Sequence, residues 1–101
     1  MKILITGGSG FLGSHLVDQL VLKGHECLIY DIKPPISNPS KKVKYIKGDI
    51  LDKKKLAIIF ENIDIVFHFA GEADIEKANK KPIEAINKNI LSTTYLLDLC
   101  V

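Results

Sequence analysis

The stretch from Ile3 to Leu16, ILITGGSGFLGSHL, constrains this chain more than any other. An apolar run, Ile3-Leu4-Ile5, stops at Thr6 and gives way to Gly7, Gly8, Gly10 and Gly13, while a helical pattern begins at Phe11. Buried strand, tight turn and helix follow one another, which is the arrangement a bound pyrophosphate needs. Glycine tolerates positive φ, so the chain can turn sharply at Gly7 and Gly8. Without a Cβ, Gly10 lets the backbone come close to phosphate oxygens, and Gly13, one turn into the helix, lets helix and strand pack closely. The free N–H groups of the first helical turn, with the positive end of the helix dipole, then point at the anion. The spacing fits both Gly-x-x-Gly-x-x-Gly from Gly7 and Gly-x-Gly-x-x-Gly from Gly8. Taken alone, it would also suit a glycine-rich strand-to-helix turn in any α/β protein.

At 101 residues the chain fits one domain at most. Its fourteen lysines are scattered, its net charge is +2 and it contains no arginine, so a nucleic-acid stripe and bidentate phosphate readout are both excluded as expectations. No apolar run approaches the roughly 18–20 residues that cross a bilayer, and the N-terminal strand runs directly into its glycine turn without a basic, then apolar leader. A cytoplasmic protein with no membrane partner is the expectation. Cys27 falls in a strand and Cys100 in the last helix, with neither metal-ligand spacing nor a disulfide framework. Both are expected to be buried thiols in a reducing compartment.

Along the chain, Leu12, Leu16 and Leu20 with Val17 and Val21 predict one apolar helix face from about Phe11 to Lys23, stopped by Gly24. His15 and His25 lack acidic or cysteine partners at ligand spacing and are expected at the surface. A second strand, Glu26 to Tyr30, ends at Asp31, about twenty residues beyond the glycine turn. There a dinucleotide fold places the carboxylate that accepts hydrogen bonds from the adenosine ribose. A carboxylate there repels a 2′-phosphate and favours NAD over NADP, a preference that nearby Lys33 weakens. Residues 33–42, rich in proline and serine, read as an exposed loop, and Val43 to Lys47 as a third strand followed by Gly48-Asp49-Ile50. Asp52 suits the N-cap of a short helix through about Glu61, with Leu56, Ile59, Phe60 and Ala57 on its apolar side. The nearly all-apolar run Asp64 to Phe69 suits a strand covered on both faces, and His68 within it is expected to be a packed core histidine. Glu72 to Lys80 reads as a loop with a helical turn. Pro82 opens a last helix whose Ile83, Ile86, Ile90, Thr94 and Leu97 share a face and whose far half is apolar most of the way round. One side would face the sheet, the other a second subunit or further sequence.

Strands alternating with helices predict a Rossmann-like, doubly wound parallel α/β sheet with strand order 3-2-1-4 and helices on both faces. Four segments then end at one edge: the glycine turn, Asp31, Gly48-Asp49-Ile50 and the His68-Phe69-Ala70-Gly71 stretch. Together with Gly24-His25 and Asn89-Ile90 ahead of Thr93, this constellation resembles the extended short-chain dehydrogenase/reductase superfamily. Within it the similarity is to the NAD-dependent epimerases and dehydratases of nucleotide sugars, UDP-glucose 4-epimerases above all. The resemblance implies NAD as cofactor, with Gly7, Gly10, Phe11, Leu12 and Gly13 at the pyrophosphate. It places Asp31 and Ile32 at the adenosine ribose, Asp49 and Ile50 at the adenine, and Phe69, Ala70 and Gly71 at the nicotinamide half. Asn89 matches the helix asparagine near the active site, and Lys88 a position that often contacts the cofactor. A nucleotide-sugar substrate and a homodimer through the last helix are implied for the parent enzyme.

Two positions depart from the family pattern. Ala73 stands where the epimerases often carry lysine, and Ser92-Thr93 stands for Gly-Thr. The family's catalytic Tyr-x-x-x-Lys is missing, since Tyr30 is followed four residues later by Pro34, Tyr45 by Asp49 and Tyr95 by Leu99. The expectation is therefore that residues 1–101 form the N-terminal portion of an NAD-binding domain, without the catalytic segment or substrate domain, and are inactive alone. A stand-alone dinucleotide-binding module remains an alternative. So does a methyltransferase binding S-adenosylmethionine, although Gly48-Asp49 and the HFAG stretch fit it less well.

Overall fold

The structure, a computed structural model, describes residues 1–36, 40–71 and 75–101, with the backbone alone at residue 75. Four strands, β1 (Lys2–Thr6), β2 (Glu26–Asp31), β3 (Val43–Lys47) and β4 (Ile65–His68), form one parallel sheet in the order β3-β2-β1-β4. Parallel neighbours need crossovers. Helix α1 (Phe11–Leu22) joins β1 to β2, and α2 (Lys53–Ile59) joins β3 to β4. The expected topology and the first three strands are found within a residue.

Alternate residues of the central strands feed two cores, because side chains along a strand point to opposite faces. Ile3, Ile5, Cys27 and Ile29 pack with Val17 of α1, flanked by Leu20 and Val21. Leu4, Leu28 and Tyr30 pack on the other face with Ile50, Leu56 of α2 and Leu96 of a C-terminal helix. Both faces of β1 and β2 are dry, which explains why those strands read as continuous apolar runs.

Local chemistry sets the helix ends. Gly24 takes φ +88° after α1, and the amide of His25 donates back to the Leu20 carbonyl at 3.1 Å, closing the helix as a C′ glycine does. Asp52 caps α2, its carboxylate accepting from the Lys55 amide at 3.2 Å. That helix stops at Ile59, short of the expected Glu61, and Asn62 turns the chain at φ +65°. Short helices α3 (Ile75–Lys80) and α4 (Pro82–Ile86) follow β4. Ala73 lies outside the described residues, as does part of the loop after β2.

Several expectations need correcting. The last helix is not continuous: α4 runs into a π-helical segment, Asn87–Leu91, before α5 (Ser92–Cys100). Three consecutive hydroxyls return to carbonyls four residues back, Ser92 to Lys88, Thr93 to Asn89 and Thr94 to Ile90. Such back-bonding competes with the regular ladder, and one-turn π segments interrupt helices where the ladder is disturbed. The stripe Ile83, Ile86, Ile90 and Leu97 faces outward, while Ala85, Ser92 and Leu96 are buried. Leu12 is 67% exposed rather than on the sheet-facing side of α1, a place taken by Gly13 and Val17. β4 is an edge strand, as the order 3-2-1-4 implies; Val66 and Phe67 pack against the two cores, but none of its residues is fully buried. Cys27 is buried as expected, and burial raises its thiol pKa, but Cys100 is exposed on the final turn of α5.

Leu56 is fully buried, while Ile58, two residues on, is 74% exposed. Leu56→Ala should lower unfolding free energy by about 2–5 kcal/mol, and Ile58→Ala by no more than about 0.5 kcal/mol. Urea melts of the two variants check this; equal losses would mean that α2 does not dock through Leu56.

Candidate functional site

The glycine turn is built by close approach. Gly7 has φ +71°, and a Cβ there would lie 2.7 Å from the Ala70 amide nitrogen. On Gly13 a Cβ would lie 2.4 Å from the Gly7 carbonyl oxygen, so only glycine lets α1 sit so near the end of β1. Gly10 is the N-cap of α1 and offers no side-chain cap, which leaves the first-turn amides without a capping partner from it. The first-turn side chains Phe11 and Leu12 stand 79% and 67% exposed. Phe11 packs edge-on against His15, their ring centroids 4.8 Å apart.

Asp31, closing β2, turns toward this feature. Its Oδ2 accepts the Ser9 amide at 3.1 Å and its Oδ1 the Lys33 amide at 3.0 Å. Two strand tyrosines brace the same edge. The Tyr45 hydroxyl donates to the Asp31 carbonyl at 3.1 Å and the Tyr30 hydroxyl to the Asp49 carbonyl at 2.7 Å. Burial first, then the charges of Asp52 and Asp49, push Tyr30 up to about 12, so it stays a donor. The Asp49 carboxylate accepts the Leu51 amide at 2.9 Å and steadies its own turn. Ile32 is exposed beside Asp31, whereas Ile50 is only 8% exposed and belongs to the core with Leu56 and Leu96, leaving little of it for a ring contact.

At the end of β4, the Phe69 amide donates to the Thr6 carbonyl at 2.9 Å and the Ala70 amide to Thr6 Oγ1 at 3.3 Å. Phe69 is 44% exposed. Gly71 meets the C-terminal helices, since a Cβ on it would lie 2.6 Å from Asn89 Oδ1. Lys88, in the π segment, sends its ammonium to Glu84 Oε1 at 3.0 Å; this hydrogen bond, with the charges of Lys88 and Lys81, holds Glu84 below its usual value. Contacts therefore link the glycine turn directly to Asp31 and to Ala70, and link Gly71 to Asn89. Asp49 joins through its carbonyl to the Tyr30 hydroxyl, next to the Gly48 amide that donates to the Asp31 carbonyl, and the Lys88 carbonyl accepts the Ser92 hydroxyl.

One residue the sequence reading passed over lies inside the turn. Ser9 Oγ is buried without a hydrogen-bond partner, an arrangement that costs stability unless something supplies one. Orphaned hydroxyl, uncapped first-turn amides and facing carboxylate together fit a ligand carrying phosphate next to a sugar, as a dinucleotide does. Its signal in sequence was a lone polar residue between two glycines.

Residues 3–101 match the model of a family described as NAD dependent epimerase/dehydratase. The chain belongs to that family. Among curated relatives, a dTDP-D-glucose 4,6-dehydratase of Dictyostelium discoideum is 40% identical over 98% of this chain and 26% of its own length. A UDP-glucose 4-epimerase of the same organism is 38% identical over 97% of this chain and 32% of its own length. This epimerase/dehydratase chain thus spans about a quarter to a third of both relatives. The solved structure of UDP-glucose 4-epimerase from Thermus thermophilus in complex with NAD matches with TM-score 0.88 and 31% identity, over 99% of this chain and 33% of that one. An epimerase from Methanothermobacter thermautotrophicus matches with TM-score 0.90 and 29% identity, covering 98% of this chain and 31% of that one. No helix among the described residues is long and apolar enough to cross a membrane, and no metal-binding cluster of His, Cys, Asp or Glu occurs among them.

His68 bonds through both ring nitrogens, to Thr6 and to Ser92, and burial lowers its pKa below 6.5. The folded state then resists a proton that the unfolded chain accepts. Stability is complete above about pH 6.5 and falls as pH drops through the window between that value and the lowered one. Thermal melts across this range should show the loss, and His68→Gln should flatten it; an unchanged slope in the variant would assign the acid sensitivity elsewhere.

Proposed function

We propose that residues 1–101 are the N-terminal portion of the NAD-binding domain of an enzyme that epimerises or dehydrates a nucleotide-activated sugar, and that they do not catalyse alone. The observation carrying this reading is the bond from the Ser9 amide to Asp31 Oδ2 at 3.1 Å, which sets a carboxylate beside a phosphate-sized glycine turn. Bound NAD would supply the hydride acceptor and donor for a transient keto sugar.

The chain's own residues then divide the work. Gly7, Gly10, Phe11, Leu12 and Gly13 hold the pyrophosphate, mainly through backbone amides, and Asp31 with Ile32 meets the adenosine ribose. Asp49, with the small exposed part of Ile50, borders the adenine; Phe69, Ala70 and Gly71, with Lys88 and Asn89, border the nicotinamide half. Asp31 also repels a 2′-phosphate, which supports NAD over NADP. A proton-transferring tyrosine would have to come from outside these residues, because no tyrosine here has a lysine four positions on. UDP-sugars are the favoured substrate class, supported by the family and by the epimerases it contains. The outward stripe of Ile83, Ile86, Ile90 and Leu97 supports the dimer contact expected at the last helix.

Titration calorimetry with NAD, NADP and S-adenosylmethionine tests the cofactor. NAD should bind saturably, NADP more weakly, and S-adenosylmethionine not at all. Asp31→Asn should weaken NAD by about ten- to a hundredfold, the effect of losing charge from a hydrogen-bond acceptor. Saturable binding of S-adenosylmethionine without NAD would overturn the assignment, and turnover of UDP-glucose by the 101 residues alone would overturn the claim of inactivity.

A further inference from the structure

Thr6 and Ser92 are the two polar residues buried as a whole among the described residues, each 0% exposed. They come from opposite ends of the sequence, one closing β1 and one opening α5, and His68 stands between them. His68 Nδ1 lies 2.5 Å from Thr6 Oγ1, and Nε2 lies 3.4 Å from Ser92 Oγ. The series continues at both ends, with the Ala70 amide 3.3 Å from Thr6 Oγ1 and the Ser92 hydroxyl on the Lys88 carbonyl.

The ends fix where every proton sits. A carbonyl can only accept, so Ser92 gives its single hydrogen to Lys88 and can only accept from His68. Nε2 must therefore carry the imidazole hydrogen. A neutral ring has one N–H, so Nδ1 is bare and accepts the Thr6 hydroxyl, which in turn accepts the Ala70 amide. All four bonds run in one direction. Burial of the ring favours its neutral form, which this order requires.

We infer that His68, as its Nε2–H tautomer, is a positioning residue that fixes the Ala70 amide relative to the Lys88 carbonyl through Thr6 and Ser92. This sets the spacing between the end of β4 and the π segment, the two stretches that border the nicotinamide half; the inference rests on the cofactor reading above. Lys88 lies in the π segment, so the Ser92 hydroxyl, bonded to its carbonyl and to His68, ties that segment to the sheet. The adenosine half, held by the glycine turn and Asp31, lies outside this series of bonds.

Nitrogen-15 imidazole spectra and paired titrations with NAD and ADP-ribose test the assignment. The wild-type ring should carry its proton on Nε2, and Ser92→Ala, which removes the acceptor, should shift it toward a tautomer mixture. Ser92→Ala and His68→Asn, which keeps an acceptor near the Nδ1 position, should each weaken NAD by about three- to tenfold. ADP-ribose, lacking nicotinamide, should keep its affinity within about twofold. Circular dichroism confirms that the variants fold, and Ser92→Gly replaces Ser92→Ala if that one does not. A wild-type ring protonated on Nδ1, or equal losses of NAD and ADP-ribose, would overturn the positioning role while leaving the cofactor reading intact. Wild-type protein that binds neither nucleotide would overturn the cofactor reading, and the positioning role with it, even with the Nε2–H ring observed.

Discussion

Everything at the functional edge depends on how closely α1 approaches the end of β1. The Gly7 carbonyl lies where any side chain at Gly13 would be, with 2.4 Å left for a Cβ. The same carbonyl accepts the Gly10 amide at 3.1 Å, so one oxygen both closes the turn and sets the depth of the helix. At that depth the Ser9 amide reaches Asp31 and Val17 reaches Ile3 and Ile5. A side chain at position 13 would lift the helix away from both the site and the core. In this molecule site and core share one geometric requirement.

The second constraint is that the sheet is covered twice. Leu4 and Ile5 are neighbours in sequence, yet they belong to different cores, one facing α5 and the other α1. The central strands β1 and β2 have no free face on which to form a ligand pocket, so their C-terminal ends are what remains available. That is why the glycine turn, Asp31, Asp49 and the end of β4 gather at one edge, and why bonds between backbone and side chain, rather than apolar contacts, connect them there.

Most of the fold was legible because its signals are local. The run ILI, the glycines and the Asp52 cap each dictate a conformation within a few residues, and strand order follows once the strands are parallel. What escaped the reading was orientation. Periodicity says that Ile83, Ile86, Ile90 and Leu97 share a face but not which way it points, and the structure turns it away from the sheet. Leu12 and Cys100 went astray for the same reason. The π segment was hidden too: it coincides with three adjacent hydroxyls whose bonds to carbonyls no hydrophobic pattern records. Ser92 looked like a mild replacement for glycine, whereas its hydroxyl reaches both His68 and Lys88. Of the candidate site, the acid and the glycines were readable from spacing; Ser9 was not, because an orphaned hydroxyl is visible only when its surroundings are known.

Asp31 can hold the turn and still serve a ligand. An ionised carboxylate offers about four acceptor positions, and among the described residues two are used, for the amides of Ser9 and Lys33. Both donors are backbone N–H groups, which neither titrate nor move independently of the chain. The carboxylate is therefore oriented by the chain itself, and its remaining lone pairs can accept further donors without releasing the glycine turn. Had a lysine ammonium oriented it instead, a flexible side chain and a partly neutralised charge would have reduced its discrimination against a second phosphate. In the proposed cofactor reading, an acid held by uncharged amides would meet the choice between a ribose hydroxyl and a ribose phosphate.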